Sequence, residues 1–351
     1  MNGSAAISRT VNIFMVYSPL HCLCAEWIVQ HFGVGEHNVV FYLKKKFSSF
    51  LNPAVWDERV YHPWPRFDPK PGLFGRIRRT RSNLDLVASY CSGAKSIRLH
   101  TTVIDTEAIN YHINFLRSRF PEADFSVRII PDGVMNLKRH PQGTVRELLK
   151  YFRFFRRLFF PQLRYYFFKG DRIGSDDHIV DKIYVLPSFP HEYEQRKVVE
   201  LPPFVRKDED HDRSRVVKRA LVIGQPLVVY KSMTKEAVEK VTNAIYRYLM
   251  SQGIEKIYYK SHPRDKTREY ARDEYQELII DEPLEHHLAH TPYGIVIGVC
   301  STALLTGRMV LPDWCEVVSC GMNCMSFSGE ESKVFYTDTF KKLNVTVLEA
   351  E

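Results

Sequence analysis

The sequence predicts an α/β protein of two doubly wound domains, each a parallel sheet with helices on both faces. Three observations predict it. Short β-rich runs alternate with longer helical ones, and strands that alternate with helices build parallel sheets covered on both sides. At about 150 residues per domain, a chain of 351 residues divides into two. The alternation breaks once, at Leu201-Pro202-Pro203 and the charged run Arg206–Arg215, which reads as a linker. The domains are therefore expected over 1–205 and 216–351, with a ligand cleft where they face one another.

The elements follow in order. Val11–Tyr17 is the first strand, Ser18-Pro19 turns the chain, and a helix runs from Leu20 to about Phe32. Asn38–Leu43 is the next strand, Arg59–Pro71 a proline-rich loop, and Arg76–Arg81 a basic stretch. Ser96–Val103 and Phe125–Ile130 are strands separated by the helical pattern Thr106–Phe120. Beyond the linker come strand Arg219–Ile223, helix Lys235–Ser251 and strands Lys256–Lys260 and Glu277–Ile280. A short helix at Leu284–His290, strand Tyr293–Val299 and a helix from Ser301 complete the pattern. Val11–Val29 comes nearest to a membrane span or export signal. Ser18, Pro19, His21 and Glu26 interrupt it and no basic segment of the usual kind precedes it, so neither is expected.

Composition narrows the class. With 44% hydrophobic and 26% charged residues, the chain is neither disordered nor collagen-like nor a coiled coil. A net charge of +8 suggests an anionic partner. The seven cysteines show no C-x-x-C spacing, so free thiols in a reducing cytoplasm are expected and a metal site is not. Asp208-Glu209-Asp210 has the D-x-D form of metal-dependent transferases, but it lies in the charged interdomain run, where a solvated linker accounts for it. The absence of a Walker loop, G-x-G-x-x-G and G-x-S-x-G sets aside NTPases, Rossmann dehydrogenases and α/β-hydrolases.

Much of the positive charge sits in Val145–Arg172, which holds eight basic residues, two acids and ten Phe or Tyr. Arg146, Lys150, Arg153 and Arg157 recur at helical spacing, and Leu148, Phe152, Phe155 and Phe159 recur two residues later. On a helix that offset sets cations and large apolar groups on opposite faces. The apolar face could pack on the domain core, or it could lie in the interface of an anionic membrane. No nucleic-acid-binding signature accompanies the charge, so nucleic acid is not an expected partner.

Three short signals fall at strand ends, where an open α/β sheet holds its ligands. Ile129-Ile130-Pro131-Asp132-Gly133 sets a carboxylate at a sharp turn, as a general base or as an ordinary Asp-Gly turn. Lys260-Ser261-His262-Pro263-Arg264 delivers an imidazole between two cations that suit a phosphate, though His-Pro is common alone. Cys300-Ser301-Thr302 places hydroxyls and free N–H groups at a helix start, as an anion site or as a plain N-cap.

Taken together, Asp132-Gly133, Lys260-x-His262-Pro263 and Ser301-Thr302 resemble the signature of bacterial sialyltransferases of glycosyltransferase families 52, 38 and 100. Asn12 to His21 is similar to the first strand and turn of these enzymes, and Gly224-Gln225-Pro226 to the turn opening their nucleotide domain. One departure is Pro131, where the pattern prefers an acid. The resemblance implies a GT-B fold, CMP-sialic acid as donor, inversion at the sugar, and neither metal nor other cofactor. It implies Asp132 as base and His262 as partner of the leaving phosphate. Lys260, Pro263, Ser301 and Thr302 would hold CMP, Gly224, Gln225 and Pro226 would border the nucleotide, and Glu285 would accept from its ribose. Ser18, His21 and Gly133 are acceptor-side candidates. The expected product is an α-2,3-sialylated galactose on a bacterial surface glycan, made in the cytoplasm at the inner membrane face. Polysialyl transfer, CDP-polyol phosphate transfer and a non-enzymatic membrane-binding protein are the rival readings.

Overall fold

The computed structural model describes residues 9–133, 138–203, 218–262, 265, 267–291, 293–327 and 329–351, without the side chains of 144–147. The chain divides into two compact units. The first comprises the described residues up to Pro187 together with His191–Leu201, and the second Ser188–Pro190 with the described residues from Pro202 onward. The expected linker Arg206–Arg215, with Asp208-Glu209-Asp210, lies outside the described residues.

Unit 1 contains β1 (Thr10–Val16), α1 (Pro19–Phe32), β2 (His37–Tyr42), β3 (Glu58–Tyr61) and α2 (Gly75–Ser89). It continues through β4 (Ser96–Thr101), α3 (Glu107–Arg119), β5 (Asp124–Ile129), α4 (Thr144–Phe155), β6 (Val180–Val185) and β7 (Val198–Glu200). Its seven strands are ordered β3-β2-β1-β4-β5-β6-β7 and pair in parallel. β1 shows why: six of its seven residues are buried, so both faces of the strand are covered. Ser18 then stops the strand and caps α1, its Oγ accepting from the His21 N–H at 3.2 Å, while Pro19 fits the first turn, where no N–H is needed.

Unit 2 contains β8 (Arg219–Ile223), α5 (Lys235–Ser251), β9 (Lys256–Lys260), β10 (Gln276–Glu277), α6 (Leu284–His290) and β11 (Ile295–Gly298). α7 (Thr302–Val310), β12 (Glu316–Cys320), α8 (Glu330–Lys342) and β13 (Thr346–Leu348) follow. Its sheet runs β10-β9-β8-β11-β12-β13, again parallel. In each unit the order reverses beside the first strand, between β1 and β4 and between β8 and β11. Open α/β sheets bind ligands at such a switch point, outside the carboxyl ends of the strands.

The structure corrects several expected elements. The proline-rich loop over Arg59–Pro71 begins inside β3, a four-residue edge strand without buried positions and hence without an apolar run. The basic stretch Arg76–Arg81 lies within α2, whose inner face carries Thr80, Asn83, Leu84, Val87 and Ala88. The strand expected at Glu277–Ile280 is two residues long and starts one residue earlier.

Segment 145–172 also divides. Leu163, Tyr165, Tyr166 and Phe168 enter the unit 1 core. In α4 and the 3₁₀ turn after it, the apolar stripe does not pack on that core. Leu148, Phe152, Phe155 and Phe159 are exposed, whereas Lys150 is buried. Lys150, Arg153 and Arg156 turn inward, where the Glu107 carboxylate accepts from Arg153 at 3.0 Å and Arg156 at 2.5 Å, whereas Arg157 stays exposed and the Arg146 side chain lies outside the described residues. Among the described residues, no helix is long and apolar enough to cross a membrane. The seven cysteines are free thiols.

Candidate functional site

In unit 1 the residues following β1 and β5 meet. His21, in the first turn of α1, places Nε2 2.7 Å from Asp132 Oδ1, across 111 residues of sequence. The backbone N–H of Tyr17 points at His21 Nδ1 at 3.2 Å, which requires a lone pair there. The ring proton therefore sits on Nε2 and is donated to Asp132. Tyr17 packs edge-on against the same ring and against Trp64, and its hydroxyl lies 3.5 Å from Thr101 Oγ1 at the end of β4. The His21 side chain is 5% exposed and that of Asp132 36%, so the carboxylate is the member of the pair open to solvent. Gly133 has φ +60°, a conformation that a side chain would strain, which fixes the Asp-Gly turn.

In unit 2 the loops after β8 and β11 are tied together at the switch point. The Gln225 amide donates to the Cys300 carbonyl and accepts from the Cys300 N–H, both at 2.9 Å. This side chain thus completes a backbone-like pairing directly before Ser301, with its polar atoms engaged inside the protein. Ser301 caps α7, its Oγ accepting from the Ala303 N–H at 3.2 Å, and Thr302 opens the helix. Pro226 is buried in the turn beyond Gln225. A Cβ on Gly224 would stand 2.5 Å from the Tyr259 hydroxyl, so the glycine is required by the neighbouring strand.

Lys260 ends β9 and its carbonyl accepts from Gly224 N–H at 2.9 Å, while His262 follows two residues later, partly exposed. Pro263 and Arg264 lie outside the described residues. The loop beyond is organised by Asp265, which the sequence reading passed over. Its buried carboxylate accepts from Thr267 N–H at 3.0 Å, Arg268 N–H at 2.8 Å and the Tyr259 hydroxyl at 3.2 Å. Its backbone N–H returns to the His262 carbonyl at 2.8 Å. An Asp two residues before a Thr is a turn-forming pattern that the sequence displays.

Glu285 lies in the first turn of α6, buried, and accepts at 3.1 Å from Thr306 on α7. The same hydroxyl lies 3.2 Å from the Thr302 carbonyl, which links Glu285 to the start of α7. Burial pushes the Glu285 carboxyl above the usual carboxylate range. A carboxyl raised in the folded state contributes stability below its unfolded pKa and loses it as pH rises through the folded value. Glu285→Gln is therefore expected to melt above the wild type at pH 8, with the gap closing as pH falls toward 4. A gap that is absent at pH 8, or constant with pH, removes the buried charge as its cause.

Among the described residues, no cluster of His, Cys, Asp or Glu is arranged to hold a metal ion. Residues 156–319 match the family model of the alpha-2,8-polysialyltransferases. That is less than half of the chain. It takes in the donor-side candidates from Gly224 to Thr302 and leaves out His21 and Asp132. No curated protein sequence matches the chain. Among solved structures, a Listeria monocytogenes protein described as a UDP-N-acetylglucosamine 2-epimerase aligns at TM-score 0.50 and 9% identity, over 96% of this chain and 88% of its own. The calicheamicin glycosyltransferase CalG4 aligns at TM-score 0.47 and 11% identity, over 97% of this chain and 85% of its own. The Listeria likeness speaks for fold alone, and with the two parallel sheets it gives the GT-B fold expected from the sequence. Over 156–319 this chain is similar to the polysialyltransferases, which supports a glycosyltransferase of the sialyltransferase kind.

Proposed function

We propose that the protein is an inverting, metal-independent sialyltransferase that uses CMP-sialic acid. The carrying observation is the carboxylate of Asp132, held by the His21 Nε2–H at the carboxyl edge of the unit 1 sheet and about one-third exposed, its side chain at 36%. A carboxylate so oriented removes the proton from an acceptor hydroxyl. The oxygen attacks the anomeric carbon of the donor, and the bond to the CMP phosphate oxygen breaks on the opposite face, so a β-linked donor gives an α-linked product. His21 does not serve as the base, since one ring nitrogen accepts from Tyr17 and the other carries the proton held by Asp132.

The donor half of the reading rests on unit 2. The N-terminus of α7, with Ser301 and Thr302, is suited to a phosphate, and Lys260 and His262 add charge and a proton donor at the next strand end. CMP leaves as a monophosphate, which such groups stabilise without a divalent cation. Gln225 acts as a positioning residue that fixes the loop before Ser301.

The acceptor is proposed to be a terminal β-galactoside of a lipid-linked surface glycan, joined α-2,3 at the inner leaflet. A second reading, α-2,8 transfer to an existing sialic acid, is favoured by the family match over 156–319. Incubation with CMP-sialic acid and either a β-galactoside or a sialylated acceptor, followed by mass spectrometry and linkage-specific sialidase, separates the two. EDTA is expected to leave the rate unchanged, and His262→Ala to lower it. Transfer from CDP-glycerol instead, or no transfer from CMP-sialic acid to either acceptor, overturns the proposal.

A further inference from the structure

We propose that unit 1 carries a docking site for an anionic lipid bilayer, formed by the outer face of α4 and the loop before α2, with a cationic cavity that takes a lipid phosphate. The site is independent of the donor and acceptor named above.

The first observation is the inverted amphipathicity of α4. Leu148, Phe152, Phe155 and Phe159 follow one another at intervals of four, three and four residues and form one stripe, exposed by 58–81%. The second is a matching apolar prong on the loop before α2, where Phe67, Leu73 and Phe74 are exposed by 65–86%. Both elements line one cavity of about 880 Å³, and Phe74 reaches Phe160 with ring centroids 6.0 Å apart. Soluble proteins rarely leave so much contiguous apolar surface in water without a partner.

Charge selects the partner. Among the described residues, the cavity is lined by Arg66, Arg76, Lys150, Arg153, Arg156 and Arg172 against Asp105 and Glu107, four more cations than carboxylates. The carboxylates hold three of these cations in place: Arg172 lies 2.8 Å from Asp105, and Arg153 and Arg156 share Glu107. Arg66 and Arg76 are exposed at its mouth. A second copy of this chain would bring like charges together, whereas an anionic bilayer supplies an acyl layer for the prongs and phosphates for the cations. Arg66 and Arg76 at the mouth of the cavity meet the headgroups, while the Phe stripe of α4 enters the membrane.

Flotation of the full-length protein with vesicles tests this. Phosphatidylcholine mixed with phosphatidylglycerol is expected to bind it about tenfold or more better than phosphatidylcholine alone, and added salt to weaken the binding. Phe152→Ser combined with Phe155→Ser and Phe159→Ser replaces only exposed groups, so the melting curve should be kept and binding lost. Arg66→Glu with Arg76→Glu should abolish the preference for anionic vesicles. No binding by the folded wild type, or equal binding by the triple variant, overturns the proposal. Self-association by ultracentrifugation that the triple variant abolishes, without vesicle binding, overturns it in favour of an interface between copies. No donor or acceptor enters the measurement, so failure of the sialyl-transfer reading leaves it intact.

Discussion

Asp132→Asn is expected to lower glycosyl transfer by about 10²–10⁴-fold, the usual worth of a general base. Asparagine keeps the size of the side chain and an oxygen that can accept from His21 Nε2–H, so the turn at Gly133 and the fold should persist. Affinity for CMP should hardly change, because the residues assigned to it belong to the other unit. Initial rates and calorimetric CMP binding on the same sample separate the two effects. His21→Asn should act more mildly, through the orientation of the carboxylate, and should lower kcat more than it raises KM. Retention of more than a tenth of wild-type activity by Asp132→Asn removes that carboxylate from the mechanism.

Unit 1 is expected to lose stability as the solution is acidified below pH 6.5. His62, His100 and His112 are buried in it, and burial lowers their affinity for protons: His62 to about 3, His112 to about 4, and His100 well below the ordinary value. His100 is stacked on Phe14 at 4.0 Å, and the rings of His62 and His112 lie 5.5 Å apart. The unfolded chain takes up these protons near pH 6.5 and the folded chain does not. The stability they contribute is therefore complete above pH 6.5 and is lost as pH falls toward 4 and then 3. At about 1.4 kcal/mol per pKa unit, His62 and His112 each contribute about 3 kcal/mol of loss by pH 4, a large part of a typical domain's 5–15 kcal/mol, and His100 acts in the same direction. Three of the four tryptophans, Trp27, Trp56 and Trp64, lie in unit 1, so intrinsic fluorescence follows it. Melting temperature should drop steadily between pH 6.5 and 4.5, and His62→Gln with His112→Gln should flatten that slope. An unchanged slope assigns the acid response to other groups.

Much of the scaffold was legible in the sequence. Arg219–Ile223, Lys235–Ser251, Lys256–Lys260 and Leu284–His290 occupy the spans that their apolar pattern indicates. Helix starts were equally readable at Ser18-Pro19 and Ser301, where a hydroxyl residue precedes a helical run. β3, β7 and β13 escaped because strands of three or four residues, largely unburied, leave too little pattern, and the mostly buried β6 and β12 were missed as well. The candidate residues were legible singly, as strand-end Asp, His and Ser, but not in their relations. Gln225 was legible as part of a turn bordering the nucleotide, whereas the pairing of its side-chain amide with Cys300, 75 residues away, was not.

Sequence by itself determined the alternation of strand and helix, the placing of polar residues where strands stop, and the two-faced character of α4. These follow from local periodicity and from short-range capping, which need no distant partner. Tertiary structure alone decided which face of α4 turns inward and which carboxylate His21 holds. Periodicity fixes the angle between two faces of a helix but not its rotation against the domain. That rotation is set by Glu107, 46 residues from Arg153 in sequence, and the orientation of Asp132 by a histidine 111 residues away. Partners so distant in sequence are brought together only by the order of the strands that carry them.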